Sequence, residues 1–333
     1  MGRITKPTET PCPAGYACHD ADVAGRVIRY VDEGEGPAVV LIHGLGGSWQ
    51  TWLENIPALA RDHRVIALDL PGFGGSEALP PQRTTECFVD VIAELLAGLG
   101  ITQAVIVGHS LGGLVATMVA EQRPELARGL VLVSAGSIGL GELRLAMIGA
   151  GFGLFDALVR RTPLLDLVVN HPRMRWLFLR GAVQRPASLS PDLASEVIPA
   201  MKAPGFADAV SSAVEVVRRA NPVAVRCPTA MIWGRDDHLV PLATAFTLRS
   251  AIPGARLAVL EDVGHCAMFE WPEVVDQILL DFLADVDAGR LGDPRDVGDP
   301  AREEPVDWFT RPRTTGLVPT ARRLIGLARR RSG

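Results

Sequence analysis

A serine at position 110, an adjacent pair of aspartates at 236 and 237, and a histidine at 265 have the types and settings that nucleophilic catalysis needs. Ser110 lies in Val105-Ile106-Val107-Gly108-His109-Ser110-Leu111-Gly112-Gly113, where an apolar β-branched run gives way to a helical pattern. A tight turn there holds the hydroxyl outward, and its crowded backbone requires small residues two positions to either side, here Gly108 and Gly112. A serine hydroxyl is a weak nucleophile until a histidine takes its proton and a carboxylate orients that histidine. A glycine-rich connection capped by a serine would look the same locally, so the partners decide.

Those partners need strands that end at one edge. Residues 103–107 read as a strand, and residues 111–123 carry apolar residues at helical spacing that stop before Pro124. Residues 230–233 read as a buried strand running into Gly234-Arg235-Asp236-Asp237-His238, a loop that presents a carboxylate. Another strand, 256–260, leads to Asp262-Val263-Gly264-His265. The order Ser, Asp, His, each after a different strand, lets distant residues converge at the carboxyl ends of a parallel sheet.

With these motifs the sequence resembles the α/β-hydrolase superfamily, in its cap-bearing group, over about residues 26–284. Leu41-Ile42-His43-Gly44-Leu45-Gly46-Gly47 is similar to the family's oxyanion loop, and Asp69-Leu70-Pro71-Gly72-Phe73-Gly74-Gly75-Ser76 to the turn after the next strand. Gly108 to Gly112 is similar to its nucleophile elbow. Gly234-x-x-Asp237-x-x-x-Pro241, with Gly264-His265 and Glu270-x-Pro272, is similar to its acid and histidine loops. The resemblance implies an α/β fold: the α/β-hydrolase fold, a mostly parallel central sheet flanked by helices, with an inserted helical cap.

By this resemblance Ser110 is the nucleophile and His265 the general base, later the general acid. Asp237, selected by the spacing from Gly234 to Pro241, is the orienting acid, with Asp236 the alternative. The backbone N–H groups of Leu45 and Leu111 form the oxyanion hole. Trp49 and Met268, near the oxyanion and histidine loops, are candidate pocket walls. His43 braces its loop, His109 is sent elsewhere by the elbow, and Glu270 fixes the histidine loop. Asp69 pins a turn among Gly72, Gly74 and Gly75. His19, His63, His171 and His238 have no partner pattern and read as surface or pocket-lining residues.

Composition fits a globular enzyme, with 333 residues of which 48% are hydrophobic and 21% charged. No apolar run reaches the roughly 18 to 20 residues that span a bilayer, and residues 1–13 are polar and proline-bearing, unlike a signal peptide. A cytoplasmic protein is therefore expected. The 5 cysteines are odd in number and scattered, unlike a disulfide framework, and fit a reducing compartment. Cys12, Cys18 and His19 lack the second pair that would complete a metal site, so no metal is expected. No phosphate- or dinucleotide-binding glycine loop is present, and no cofactor is implied. A net charge of -5 argues against nucleic acid as a general partner.

Between the strand at 130–133 and the one beginning near 229 lies more chain than a crossover needs. Residues 1–21 read as an N-terminal extension, 22–136 and 222–285 as the two parts of the hydrolase core, 137–221 as the helical cap, and 286–333 as a linker and basic C-terminal tail. Phe152, Phe155, Met174 and Trp176 of the cap are candidates to line an apolar site, beside others that merely pack on the core. Residues 285–307 carry Gly, Pro and acids, whereas 311–333 hold many arginines, no acid, and apolar residues at helical spacing. That tail reads either as an amphipathic helix for peripheral membrane contact through anionic lipid, or for a partner, or as a solvated segment.

The resemblance implies hydrolysis of an ester, thioester, amide, epoxide, carbon–halogen or carbon–carbon bond. Serine at 110 separates the chain from the epoxide hydrolases and haloalkane dehalogenases of this fold, which attack with aspartate. Carbon–carbon hydrolases of ring-cleavage products resemble it through Trp49, but usually carry Asn before the serine and Trp after the histidine, where this chain has His109 and Cys266. The reading is a serine hydrolase acting on a carboxylic ester of an apolar small molecule, with a carbon–carbon bond hydrolase as the alternative. A small-molecule-binding receptor or scaffold on the same fold is the reading from another class, and an intact triad argues against it.

Overall fold

Short runs of Val, Ile, Leu and Ala, buried on both faces, build the centre of the molecule. The structure is a computed structural model and describes residues 8–12, 15–80, 87–136, 142–155, 164–186, 189–203, 205, 209, 222–252, 254–291 and 307–310. Its strands are β1 (Thr8–Pro11), β2 (Ala17–Val23), β3 (Arg26–Glu33), β4 (Ala38–Ile42), β5 (Arg64–Leu68), β6 (Ala104–His109), β7 (Ala127–Val133), β8 (Thr229–Gly234), β9 (Arg256–Leu260) and β10 (Asp307–Thr310). They form one sheet in the order β1-β2-β3-β5-β4-β6-β7-β8-β9-β10. Pairing is antiparallel from β1 to β5 and parallel from β5 onward, the mostly parallel arrangement expected.

Alternation along each strand divides the core between two faces. Val40, Ile42, Ile106, Leu130 and Leu132 join one apolar cluster with α2 (Cys87–Gly98), α3 (Leu111–Gln122) and α8 (Leu242–Ala251). Val39, Leu41, Val105, Val107 and Val131 join the other, with α1 (Ile56–Leu59), α9 (Ala267–Glu270) and α10 (Pro272–Asp287). Every parallel strand thus delivers its carboxyl end to the same rim.

Between β7 and β8 the chain inserts α4 (Glu142–Phe155), α5 (Leu164–Asn170), α6 (Pro172–Leu179) and α7 (Pro191–Val197), followed by a 3-10 turn at Ile198–Lys202. α5, α6, α7 and the 3-10 turn hold a small apolar cluster of their own, Val168, Ala194 and Ile198, against which Met174, Phe178 and Leu179 pack.

Three expectations need correction. Residues 8–11 and 17–23 are sheet strands rather than an extension outside the core. Cys12 and Cys18 form a disulfide, because Pro11 lies opposite Ala17 in the antiparallel β1–β2 pair and brings the two within 5.4 Å at Cα. Parity and scatter of the cysteines cannot reveal such a hairpin, and the argument for a reducing compartment falls with it. Residues 307–310 of the expected linker and tail form β10, parallel to β9; the basic segment 311–333 lies outside the described residues. Among the described residues no helix is long and apolar enough to cross a membrane.

Candidate active site

Ser110 stands between the end of β6 and the start of α3 with φ 52° and ψ -116°. A non-glycine residue in that conformation stores strain that the surroundings must hold. They do so by close approach. A Cβ on Gly108 would run into the carbonyl of Gly112, and one on Gly112 into the carbonyls of Ile42 and His43. The elbow is therefore pressed against the end of β4. A Cβ on Gly44 would come within 3.0 Å of the Ser110 side chain, so the loop at residues 43–47 passes directly against the hydroxyl-bearing residue.

His43 holds that loop. Its Nε2 accepts the N–H of Leu70 at 2.9 Å, which leaves the proton on Nδ1 to be donated to the Gly44 carbonyl at 2.7 Å. Burial lowers its pKa to about 4, so the ring is a neutral brace. Asp69 pins the adjoining turn: its carboxylate accepts the N–H groups of Trp49 at 2.7 Å and Gly75 at 2.8 Å. Burial pushes the Asp69 pKa up to about 6 against those two donors.

Asp237 and His265 come together at the ends of β8 and β9. Gly234 permits this, since a Cβ there would overlap the carbonyls of Val263 and Gly264. Asp237 is buried; its Oδ2 accepts His265 Nδ1–H at 2.8 Å, and its Oδ1 accepts the N–H groups of Leu239 at 2.9 Å and Val240 at 2.8 Å. Asp236 is half-buried, and its N–H donates to the Val263 carbonyl at 3.0 Å. Geometry thus selects Asp237 for the histidine. With Nδ1–H given to Asp237, the His265 Nε2 keeps the lone pair a general base uses.

His109 joins the elbow to the histidine loop. Its ring packs on that of His265 with centroids 4.8 Å apart, and its Nε2–H donates to the His265 carbonyl at 3.1 Å. Burial, and then the neighbouring His265, hold its pKa well below the ordinary value. The hydrogen bonds of the His265 side chain and N–H go to Asp237 and Ala182, none of them to Ser110; the bond from nucleophile to base is often long or poorly aligned before substrate binds.

The cap takes a part in this site that motif spacing does not encode. The His265 N–H donates to the Ala182 carbonyl at 2.8 Å, and the Glu270 carboxylate accepts the N–H of Gln184 at 2.8 Å as well as that of Gly264 at 3.1 Å. A glycine at 264, against which Gln184 lies closely, was the one available signal.

The pocket candidates fare differently. Trp49 and Met268 are buried in one of the two core clusters, with the Trp49 ring edge-on to Tyr16 at 5.4 Å. Met174 packs into the cap's own cluster. Trp176 points outward and is 50% exposed, because helical spacing alone does not say which face meets the core. The side chains of Phe152 and Phe155 lie outside the described residues.

The comparisons agree with this architecture. Residues 37–272 match the family described as alpha/beta hydrolase fold. A 2-hydroxymuconate semialdehyde hydrolase of Pseudomonas sp. (strain CF600) is 32% identical over 78% of this chain and 91% of its own. Among solved structures, the meta-cleavage product hydrolase CumD is 27% identical with a TM-score of 0.65, over 80% of this chain and 97% of that one. A thermophilic esterase from Thermogutta terrifontis is 22% identical with a TM-score of 0.64, over 86% and 99%. Fold, strand-end loops and family match together make this chain a member of the α/β-hydrolase family.

Proposed function

We propose that the chain is a serine hydrolase that cleaves a carboxylic ester of an apolar small molecule. The observation that carries this reading is the buried Asp237–His265 hydrogen bond of 2.8 Å, set one ring away from the strained Ser110 elbow. His265 Nε2 takes the Ser110 proton as Oγ adds to the ester carbonyl. The N–H groups of Leu45 and Leu111 receive the oxyanion, with the N-terminus of α3 adding its positive dipole end. His265 then gives the proton to the departing alcohol. Water, deprotonated by His265, attacks the acyl-enzyme and returns the serine with release of the acid.

A second reading, carbon–carbon bond hydrolysis of a ring-cleavage product, is favoured by relatives such as the 2-hydroxymuconate semialdehyde hydrolase and the meta-cleavage product hydrolase. His109 and Cys266, standing where that group usually has Asn and Trp, favour the ester. The Cys266 thiol is pushed well above its ordinary pKa by burial, so it is no rival nucleophile.

The deciding experiment compares kcat/KM for p-nitrophenyl esters of increasing acyl length with that for ring-cleavage dienoates. Higher values for the esters support the first reading, and higher values for the dienoates replace it with the second. Ligand binding with neither turnover nor fluorophosphonate labelling of Ser110 would make the protein a receptor.

A further inference from the structure

Trp176 faces out of the cap, and its neighbours there give it a different use. Four residues of the α6 region, Arg173, Trp176, Leu177 and Arg180, are exposed at the i, i+3, i+4, i+7 spacing of a single helix face. The other side of the helix turns Met174, Phe178 and Leu179 into the cap's apolar cluster and buries Arg175. Trp176 is 50% and Leu177 54% exposed, and the Arg180 guanidinium stacks over the indole at 5.1 Å from its centroid. Leu167 on α5 is also 44% exposed.

Charge is segregated in the same place. Arg173 and Arg180 are the exposed cations of this face, which carries no acid; of the other arginines nearby, Arg175 is buried and Arg185 pairs with Asp262 at 3.4 Å. Exposed indole and leucine alone could suit many partners; bracketing them with cations on one helix face narrows the choice to a surface that is apolar below and anionic above. We infer that this face of α6 is a docking surface for an anionic lipid bilayer. Trp176 and Leu177 enter the headgroup region, where an indole with one polar edge is favoured. Arg173 and Arg180 meet lipid phosphates while their stems lie along the apolar side chains.

The docking face lies close in sequence to the site. Immediately after Arg180, Ala182 and Gln184 are hydrogen-bonded to His265 and Glu270, so a docked α6 brings the histidine loop near the lipid surface. Delivery of an apolar ester from the bilayer rests on the proposed ester reading, whereas docking itself is read by binding alone.

The test is co-sedimentation of the full chain with vesicles of equal parts phosphatidylglycerol and phosphatidylcholine, beside vesicles of phosphatidylcholine only. The wild-type chain should bind the anionic vesicles and bind the neutral ones far less. Arg173→Ala with Arg180→Ala should weaken anionic binding about 25-fold, about fivefold for each arginine, the ratio that corresponds to ~1 kcal/mol per basic residue at a lipid surface. Trp176→Ser with Leu177→Ser should weaken it as well, with both arginines in place. Circular dichroism checks that each variant is folded. A wild-type chain that ignores anionic vesicles overturns the inference. So does a folded double-arginine variant that binds like wild type, which would move any lipid contact to the basic segment 311–333.

Discussion

Glu270 accepts the backbone N–H of Gln184 at 2.8 Å, so a side chain of the core holds the segment that leads out of α6. The same carboxylate takes the N–H of Gly264 at 3.1 Å and of Cys266 at 3.3 Å, on either side of His265. Burial raises its pKa, and the three donors oppose that rise. The proposed general base is therefore positioned by core and cap jointly. Glu270→Gln keeps the shape but offers one acceptor oxygen and turns an NH2 toward a backbone donor. We expect kcat to fall by about tenfold or more while KM changes little, since a small misplacement of a reacting group is costly. Steady-state kinetics check this, and an unchanged kcat would remove the clamp.

Ser110→Ala should abolish ester turnover, by about 10⁶-fold, as no other group can form the acyl-enzyme. A few per cent of residual rate in a contamination-free preparation would reject Ser110 as nucleophile.

Asp237→Asn should reduce kcat by about 10⁴-fold by stabilising the wrong tautomer of His265. Asp236→Asn should have a mild effect, because Asp236 contributes a backbone N–H to the loop and its side chain is half-exposed. The reverse ranking would move the acid by one residue.

The tight turn at Ser110 and the meeting of the Asp237 and His265 loops were legible because each depends on a local steric demand written in glycine. Gly108 and Gly112 admit the elbow, and Gly234 lets the acid loop touch the histidine loop. The unbroken apolar run at 38–42, with Val39 and Leu41 in one cluster and Val40 and Ile42 in the other, suits a sheet covered on both faces. The cap was different. Apolar residues at helical spacing identify an amphipathic helix, but α6 has apolar residues on both its faces, and only packing turns Phe178 in and Trp176 out. For Trp49 and Met268 nearness in sequence to the His43 and His265 loops does not say how deeply a side chain packs, and both are buried in a core cluster. The Cys12–Cys18 bond depends on hairpin register, which composition does not hold.

The buried His43 makes a prediction about acid. Its folded pKa of about 4 lies below the ordinary 6.5, so below pH 6.5 the unfolded chain binds the extra proton. The stability that neutral His43 contributes is full above 6.5 and falls as pH drops toward 4. Between pH 7 and pH 5 the loss comes to about 2 kcal/mol. Asp69 acts in the opposite sense, since a folded pKa raised to about 6 favours the native state as pH falls below that value. His43→Asn removes the histidine part alone. The variant should be less stable at pH 7, yet lose about 2 kcal/mol less than wild type between pH 7 and pH 5 in urea melts. Equal losses would show that His43 is not held neutral by the fold.

The last prediction concerns the C-terminal boundary. β10 pairs in parallel with β9, Trp308 opposite Ala258 and Phe309 opposite Val259, and β9 runs directly into the loop that carries His265. A cut before Asp307 would strip that edge partner, so the informative truncation begins at Arg311. The proposed triad, its braces and the cap contacts all precede residue 271. Removing 311–333 should therefore leave turnover of a soluble short-chain ester within about twofold, under ~0.5 kcal/mol in barrier. Removing 307–333 should lower the thermal midpoint as well, because β9 then loses its outer hydrogen bonds. Identical midpoints for the two truncations would mean that β10 contributes nothing to the sheet. A large loss of turnover in the shorter deletion, with an unchanged circular dichroism spectrum, would mean that the basic segment reaches the site and that a boundary at residue 286 divides the molecule in the wrong place.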